Sequence, residues 1–211
     1  MKLARGHVTV LSRNLQRAVD PVALFAALAG DEAALLESAD ARVSGEPAQQ
    51  TWLMTRAALR LTCKAREVTV TPLSVNGENH LSHIEAELGR PCQVSVQFDP
   101  PPKRVSERER LAAPSVFDVP RATLANLTYN PMAPPLLVGS FAYDLIDAFE
   151  ELPGRARPSP WPDYELWLHE ELVRIDHAKR QLTLLRFVYG GERDEEAYHD
   201  ASQGLAVALR R

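Results

Sequence analysis

Residues 35–40 combine an apolar run with polar groups that can bind an amino group, since the segment reads Leu-Leu-Glu-Ser-Ala-Asp. We expect 34–38 to form a short buried strand, which places the Glu37 carboxylate and the Ser38 hydroxyl at the edge of the core. A semi-buried carboxylate needs a charged or hydrogen-bonding partner, and the ammonium group of a ligand is one such partner. In the other interpretation residues 38–40 form a turn and Glu37 pairs with an arginine. The candidates are Arg42, Arg56 and Arg60.

Two histidines and a glutamate recur at helical spacing further along the chain. His80, His83 and Glu87 stand at i, i+3 and i+7 and could contact one metal ion from one helix face. No further cysteine or aspartate ligand accompanies them, and exposed histidines are common. We therefore interpret them as an exposed helix face and predict no metal site.

Four carboxylates fall within eight residues at Asp144, Asp147, Glu150 and Glu151. Such a group suits acid–base chemistry or magnesium binding. Carboxylates also stabilise the first turn of a helix, and the remaining ones can be solvated. The second interpretation is favoured, with Asp144 as the cap of a helix.

Three aromatic residues surround a proline-rich loop. Trp161, Tyr164 and Trp167 follow the proline cluster that begins at Pro153, and they could line a ligand. Aromatic side chains beside such loops more often attach the loop to the core. We favour attachment to the core for all three.

Composition and missing motifs exclude several protein classes. The chain is 45% hydrophobic and 25% charged, which is typical of a folded protein, and its net charge of −4 gives no basic surface for nucleic acid or anionic lipid. No apolar run approaches the length of a membrane span, and no secretory signal is apparent, so we expect a cytoplasmic protein without a membrane or nucleic-acid partner. Glycine-rich nucleotide loops, zinc-protease motifs and the hydrolase nucleophile elbow are missing. Cys63 and Cys92 have neither a zinc nor a redox spacing and are expected to be core thiols.

Periodicity and turn residues predict an α+β fold of antiparallel sheets with flanking helices. The firmest element is a helix with Asp20 as its N-cap, Pro21 at its first position and Gly30 just past its end. Strands are expected at 7–11, 34–38, 51–54, 57–63, 67–72, 93–98, 136–143, 165–175 and 181–189, and helices at 21–29, 78–88, in two pieces within 106–127, at 145–152 and at 192–210.

The Leu-Leu-Glu-Ser run resembles the tryptophan-binding motif near the start of anthranilate synthase component I of the enteric type. Further segments agree with that family in order and spacing, from about residue 8 to about residue 190. They are residues 20–25, 35–40, 58–62, 115–118, 143–145, 149–153, 162–164 and 173–177.

The resemblance implies half of a two-lobed, chorismate-binding architecture. Residues 1–190 would be the N-terminal regulatory domain, and 191–211 a C-terminal helix leading toward the catalytic domain. The catalytic residues and the magnesium-binding glutamates belong to the other half of the family's chain, so no catalytic residue, metal or cofactor is expected here, and this chain alone should be inactive.

The resemblance also implies a ligand and partners. L-tryptophan, the feedback inhibitor, would bind Glu37 and Ser38 through its amino group, with Ala39 lining the pocket. A basic residue expected about a dozen positions later is missing, because residues 45–50 contain neither lysine nor arginine. The expected protein partners are the catalytic domain of component I and the glutamine amidotransferase component II. Two alternatives stay open, the corresponding lobe of an aminodeoxychorismate synthase component and a stand-alone amino-acid-binding or scaffold module.

Overall fold

The computed structural model describes residues 2–37, 50–92, 95–100, 102, 105–150 and 159–208. Within these residues the strands form a single antiparallel sheet of eight strands, flanked by helices. The predicted mixed α+β class and its antiparallel pairing are therefore confirmed. The strands are β1 Val8–Gln16, β2 Ala34–Glu37, β3 Gln50–Lys64, β4 Glu67–Pro72, β5 Val96–Gln97, β6 Leu137–Phe141, β7 Tyr164–Asp176 and β8 Gln181–Tyr189.

Two long strands, β3 and β7, hold the sheet together, and each changes its outer neighbour part-way along. β7 pairs with β6 through 164–168 and with β8 through 171–176. β3 pairs with β2 through 51–54 and with β4 through 59–64. The pairing of β3 with β7 is irregular between Met54 and Leu59, and bulges of this kind bend a strand. The sheet thus has two parts, one carrying β2, β8 and β1 and the other carrying β4, β5 and β6, joined at a bend in β3 and β7.

Helices cover both faces of this sheet. α2 and α4 lie over the larger core cluster, which includes Leu59, Leu61 and Leu168, whereas α1 lies over a smaller cluster around Leu53 and Val173. α5 packs mainly on β8. The helices are α1 Pro21–Leu28, α2 Val75–Leu88, α3 Glu107–Ala112, α4 Asp118–Leu124 and α5 Asp194–Ala208.

Local capping explains where the helices begin. The Asp20 carboxylate accepts from the amides of Val22 and Ala23, as predicted for α1. Ser74 caps α2 in the same way, so that helix starts three residues before its predicted start. The two short helices predicted between 106 and 127 are present as α3 and α4.

Besides shifted ends, such as β1 continuing to Gln16, three predictions differ from the structure in continuity, helix type or exposure. The strands predicted at 51–54 and 57–63 are one strand, β3, because the irregular pairing near Arg56 bends the chain without ending it. The segment predicted as a helix at 145–152 contains a 3-10 helix at Tyr143–Ala148, whose N-cap is Ala142 and not Asp144. The strand predicted at 34–38 is a sheet-edge strand, and its last two residues, Leu36 and Glu37, are exposed rather than buried.

The interpretation of His80 and His83 as exposed is wrong. Both are buried, with exposed fractions of 1% and 3%. Their Nε2 atoms lie 2.9 Å from the carbonyl oxygens of Thr123 and Ala125, to which they donate. These carbonyls lie at the end of α4, where a helix leaves acceptors without intrahelical donors. The two imidazoles therefore attach α2 to the end of α4.

The aromatic residues behind the proline-rich loop have separate roles. Tyr164 is buried and donates its hydroxyl to the carbonyl of Val116 at 2.7 Å, whereas Trp167 is only partly buried. The expectation that Trp161 is attached to the core is wrong, because 73% of that side chain is exposed. Cys63 and Cys92 are buried thiols of the larger core cluster, as predicted. No helix in the described part of the chain is long and apolar enough to cross a membrane.

Candidate functional site

The Glu37 side chain lies at the end of β2, on the edge of the sheet. Within the described residues β2 pairs with β3 alone, so its other edge is open. Glu37 is exposed, and Arg56 and Arg60, its two described candidate partners, pair with other carboxylates. Ser38, Ala39 and Arg42 lie outside the described residues. The carboxylate is thus accessible to a ligand.

An open groove of about 800 Å³ begins at Leu36, the residue before Glu37 on β2. Leu36 from β2 lines one side of it, and successive residues of β6 line another. Side chains alternate across a strand, so Leu36 faces the groove while Glu37 leaves the strand on the opposite face. The groove is lined by Leu36, Phe117, Pro120, Arg121, Leu124, Ala125, Leu137, Val138, Gly139, Phe141 and Leu166.

Aromatic rings build the wall at the β6 end of the groove. The Phe117 ring stacks on Phe149 at 5.4 Å and on Tyr164 at 6.2 Å between centroids, and Phe141 contacts both Phe117 and Tyr164. Burial raises the pKa of the Tyr164 hydroxyl well above its usual value, so this wall stays uncharged. Phe141 remains 56% exposed and Leu36 50% exposed. The groove is therefore apolar and accessible.

Arg121 is the one charged residue among those that line the groove within the described chain. It extends from α4, with Nη1 3.0 Å from Asp118 Oδ1 and its guanidinium 5.9 Å from the centre of the Phe117 ring. Because 70% of its side chain is exposed, it has donors left for an incoming carboxylate. Sequence reasoning missed Arg121, since it lies far along the chain from Glu37.

The other candidate groups lie apart from the groove. Glu150 pairs with Arg110 at 2.9 Å, Asp147 is exposed, and Glu151 lies outside the described residues. His80 and His83 are buried and donate to carbonyl groups at the end of α4, as described above. Among the described residues no three histidine, cysteine, aspartate or glutamate side chains are grouped so as to hold a metal ion.

Comparison with known proteins gives a consistent set of relatives, although no protein-family profile matches the chain. Anthranilate synthase component 1 of Haemophilus influenzae is 29% identical over 220 residues, 98% of this chain and 41% of that protein. The Escherichia coli protein of the same name is 33% identical over 189 residues, 84% of this chain and 36% of its own length. The Salmonella typhimurium protein of the same name is 34% identical over 172 residues, which are 76% of this chain and 33% of that protein.

The chain is a relative of anthranilate synthase component 1. The resemblance read from the Leu-Leu-Glu-Ser run and its companion segments is thereby confirmed. The similarity spans 76–98% of this chain but only about a third to two fifths of each relative's length.

Proposed function

We propose that this chain supplies the tryptophan-binding, feedback-regulatory part of anthranilate synthase component I, which makes anthranilate from chorismate in tryptophan biosynthesis. The proposal is carried by the open apolar groove that Leu36 lines near the end of β2, next in the chain to the exposed carboxylate of Glu37. Residues 1–190 would form this regulatory domain, and 191–211 would lead toward the catalytic half.

The chemistry of tryptophan suits the residues that we assign to it. Its ammonium group would lie past the end of β2, where it would bind the carboxylate of Glu37 and the hydroxyl of Ser38, with Ala39 leaving room beside them. Its indole would lie against the apolar lining, and a volume of about 800 Å³ falls within the range of about 300–1,000 Å³ for small-molecule sites. Arg121 would take the place of the basic residue missing from 45–50 and bind the ligand carboxylate.

The groove is open, so we infer that a second surface completes the site. Ligand sites enclose most of their ligand, whereas Leu36 and Phe141 are each half exposed or more. In our proposal the catalytic half of component I covers this surface, as half of a two-lobed architecture, and a glutamine amidotransferase component II joins the assembled enzyme. Tryptophan held between the halves would favour one relative orientation and inhibit in that way. Chorismate chemistry would belong to the other half.

Titration with L-tryptophan, followed by NMR on the isotope-labelled chain, tests the ligand. We expect weak, saturable shifts at Leu36, Gly139 and Arg121, with an affinity much lower than that of a two-domain enzyme. Glu37→Gln should weaken binding at least tenfold, because it removes a charge-assisted hydrogen bond. Glu67→Gln, which neutralises an exposed carboxylate at the start of β4, is the matched control. Shifts that avoid the groove, or equal affinities for the two variants, would refute the assignment.

Addition of a separately expressed catalytic part tests the second surface. We expect that part to raise the affinity for L-tryptophan and to make its anthranilate synthesis sensitive to L-tryptophan. Micromolar binding by this chain alone would contradict an incomplete site. Capture of an amidotransferase without any chorismate-binding chain would instead favour the scaffold alternative.

A further inference from the structure

Five charged side chains form a cluster between α5 and the bend of the sheet, away from the groove. They are Arg56, Glu170, Glu171, Arg186 and Asp200. Arg56 holds two carboxylates, with Nε 2.6 Å from Glu170 Oε1 and Nη1 2.9 Å from Asp200 Oδ2. Arg186 pairs with Glu171 beside them. The residues of this charge cluster belong to four elements, which are β3, β7, β8 and α5.

The charge cluster lies where β7 changes neighbours. Residues up to 168 pair with β6 and residues from 171 onward pair with β8, so Glu170 and Glu171 occupy the transition. Glu171 accepts from the Thr55 hydroxyl at 2.7 Å, within the irregular stretch of β3. Glu170, 6% exposed, accepts from the Ser74 hydroxyl at 2.8 Å, at the start of α2. Glu171 thus contacts the irregular stretch of β3 directly, and Glu170 contacts the same stretch through Arg56.

On its other side the charge cluster is held by α5. Asp200 supplies a carboxylate, and Gly204 lies so close to Arg186 that a Cβ at position 204 would be 2.0 Å from Arg186 Nη1. A cavity of about 170 Å³ separates α5 from the sheet around the charge cluster. Ala197 and Ala201 of α5 are buried against Val188 next to this cavity, so α5 is attached to the sheet by apolar contacts as well as by the charge cluster.

The bend also determines the shape of the groove. Leu36 belongs to the part of the sheet that carries β2, whereas 137–141 belong to the part that carries β6. These parts are joined through β3 and β7. A change in angle at the bend therefore changes the separation between the two sides of the groove.

We propose that the charge cluster couples the position of α5 to the width of the groove. A partner or a chain segment that shifts α5 would move Asp200 and Arg186, and through them the transition in β7, thereby opening or narrowing the groove. The inference concerns the fold alone, and it holds or fails whether or not the groove binds tryptophan.

Distances across the groove test the coupling without any ligand. Spin labels on Glu37→Cys and Ser140→Cys report the separation of β2 and β6, because both positions are exposed and the native cysteines are buried. Gly204→Ala strengthens α5 intrinsically but displaces the Arg186 guanidinium, and Asp200→Asn is a milder second variant. We expect both to shift or broaden the distance distribution.

Glu195→Gln is the matched control, because it removes the same charge from an exposed position of α5 that does not line the cavity beside the charge cluster. Its distribution should coincide with that of the labelled parent. Identical distributions for the parent, Gly204→Ala and Asp200→Asn would overturn the proposal, as would an equal change in Glu195→Gln.

Discussion

Acidification should destabilise this fold through the buried histidine that joins α2 to α4. Burial lowers the pKa of His80 from 6.5 to about 4, against the opposing effect of its hydrogen bond to Thr123. Because the folded pKa is the lower one, the unfolded chain binds the proton first as the pH falls. The contribution of neutral His80 to the free energy of unfolding is therefore complete above about pH 6.5, decreases below it, and is fully lost near pH 4.

The expected magnitude follows from the size of that pKa difference. Each pH unit between 6.5 and 4 costs about 1.4 kcal/mol of unfolding free energy per histidine, so a change from pH 7.5 to 5 costs about 2 kcal/mol for His80. Burial lowers the pKa of His169 to about 4 as well, which adds about 2 kcal/mol. Together they remove a large part of the roughly 5–15 kcal/mol that stabilises a domain.

Urea denaturation of the wild type and His80→Gln at the two pH values is the assay. Glutamine keeps a hydrogen-bond donor but cannot take up a proton, so the pH-dependent loss should shrink by about 2 kcal/mol, whatever the variant's stability at pH 7.5. His199→Gln, on the exposed surface of α5, controls for the change of residue type. An unchanged pH dependence in His80→Gln would refute this account of the α2–α4 contact.

Three further outcomes follow from the described contacts. Tyr164→Phe removes the buried hydroxyl that donates to Val116, and urea denaturation should show a loss of about 1 kcal/mol. Burial raises the pKa of Cys63 to about 12 and that of Cys92 to about 11, so a chromogenic disulfide reagent at pH 8 should react with them only after denaturant is added. The exposed groove should cause self-association and binding of an apolar dye, and Phe141→Ser should weaken both in sedimentation and fluorescence measurements; a strictly monomeric wild type without dye binding would contradict this.

Elements with local determinants were predictable from the sequence. The start of α1 follows from Asp20 and Pro21, whose effects extend only a few residues along the chain. The separation of α3 from α4 was likewise predictable from Pro120, which lies in the first turn of α4.

Elements with distant determinants were not predictable in the same way. The burial of His80 depends on a carbonyl 43 positions away, and helical spacing alone cannot distinguish a capping imidazole from a solvated one. β3 continues through Arg56, whose guanidinium pairs with Glu170 and Asp200 from distant parts of the chain; these contacts cannot be read from the residues around Arg56.

The candidate site likewise has a part that was predictable from neighbouring residues and a part that was not. The Glu37 segment could be recognised because its residues are adjacent in the chain. Leu36 of that segment lines the groove, and the binding role of Glu37, Ser38 and Ala39 stays a prediction. Glu37 was expected at the end of a buried strand, yet the last two residues of β2 are exposed, and in the described part of the chain β2 pairs with β3 alone. Arg121 and the β6 wall come from segments more than 80 positions later, brought close by the bend.

Among the residues that the structure describes, the outer edges of β2 and β6 have no partner strand, and this is the last feature that needs a physical reason. Unpaired strand edges invite pairing with other chains, and proteins commonly protect them with charged residues, proline or a covering element. The five residues of β6 contain no charge and no proline, and Phe141 is exposed at its end. If this surface stayed uncovered in the functional protein, the edge would be prone to pairing with other chains. The same edge is suited to lie against the catalytic half in the enzyme that we propose, where further strands or side chains would cover it and enclose the inhibitor.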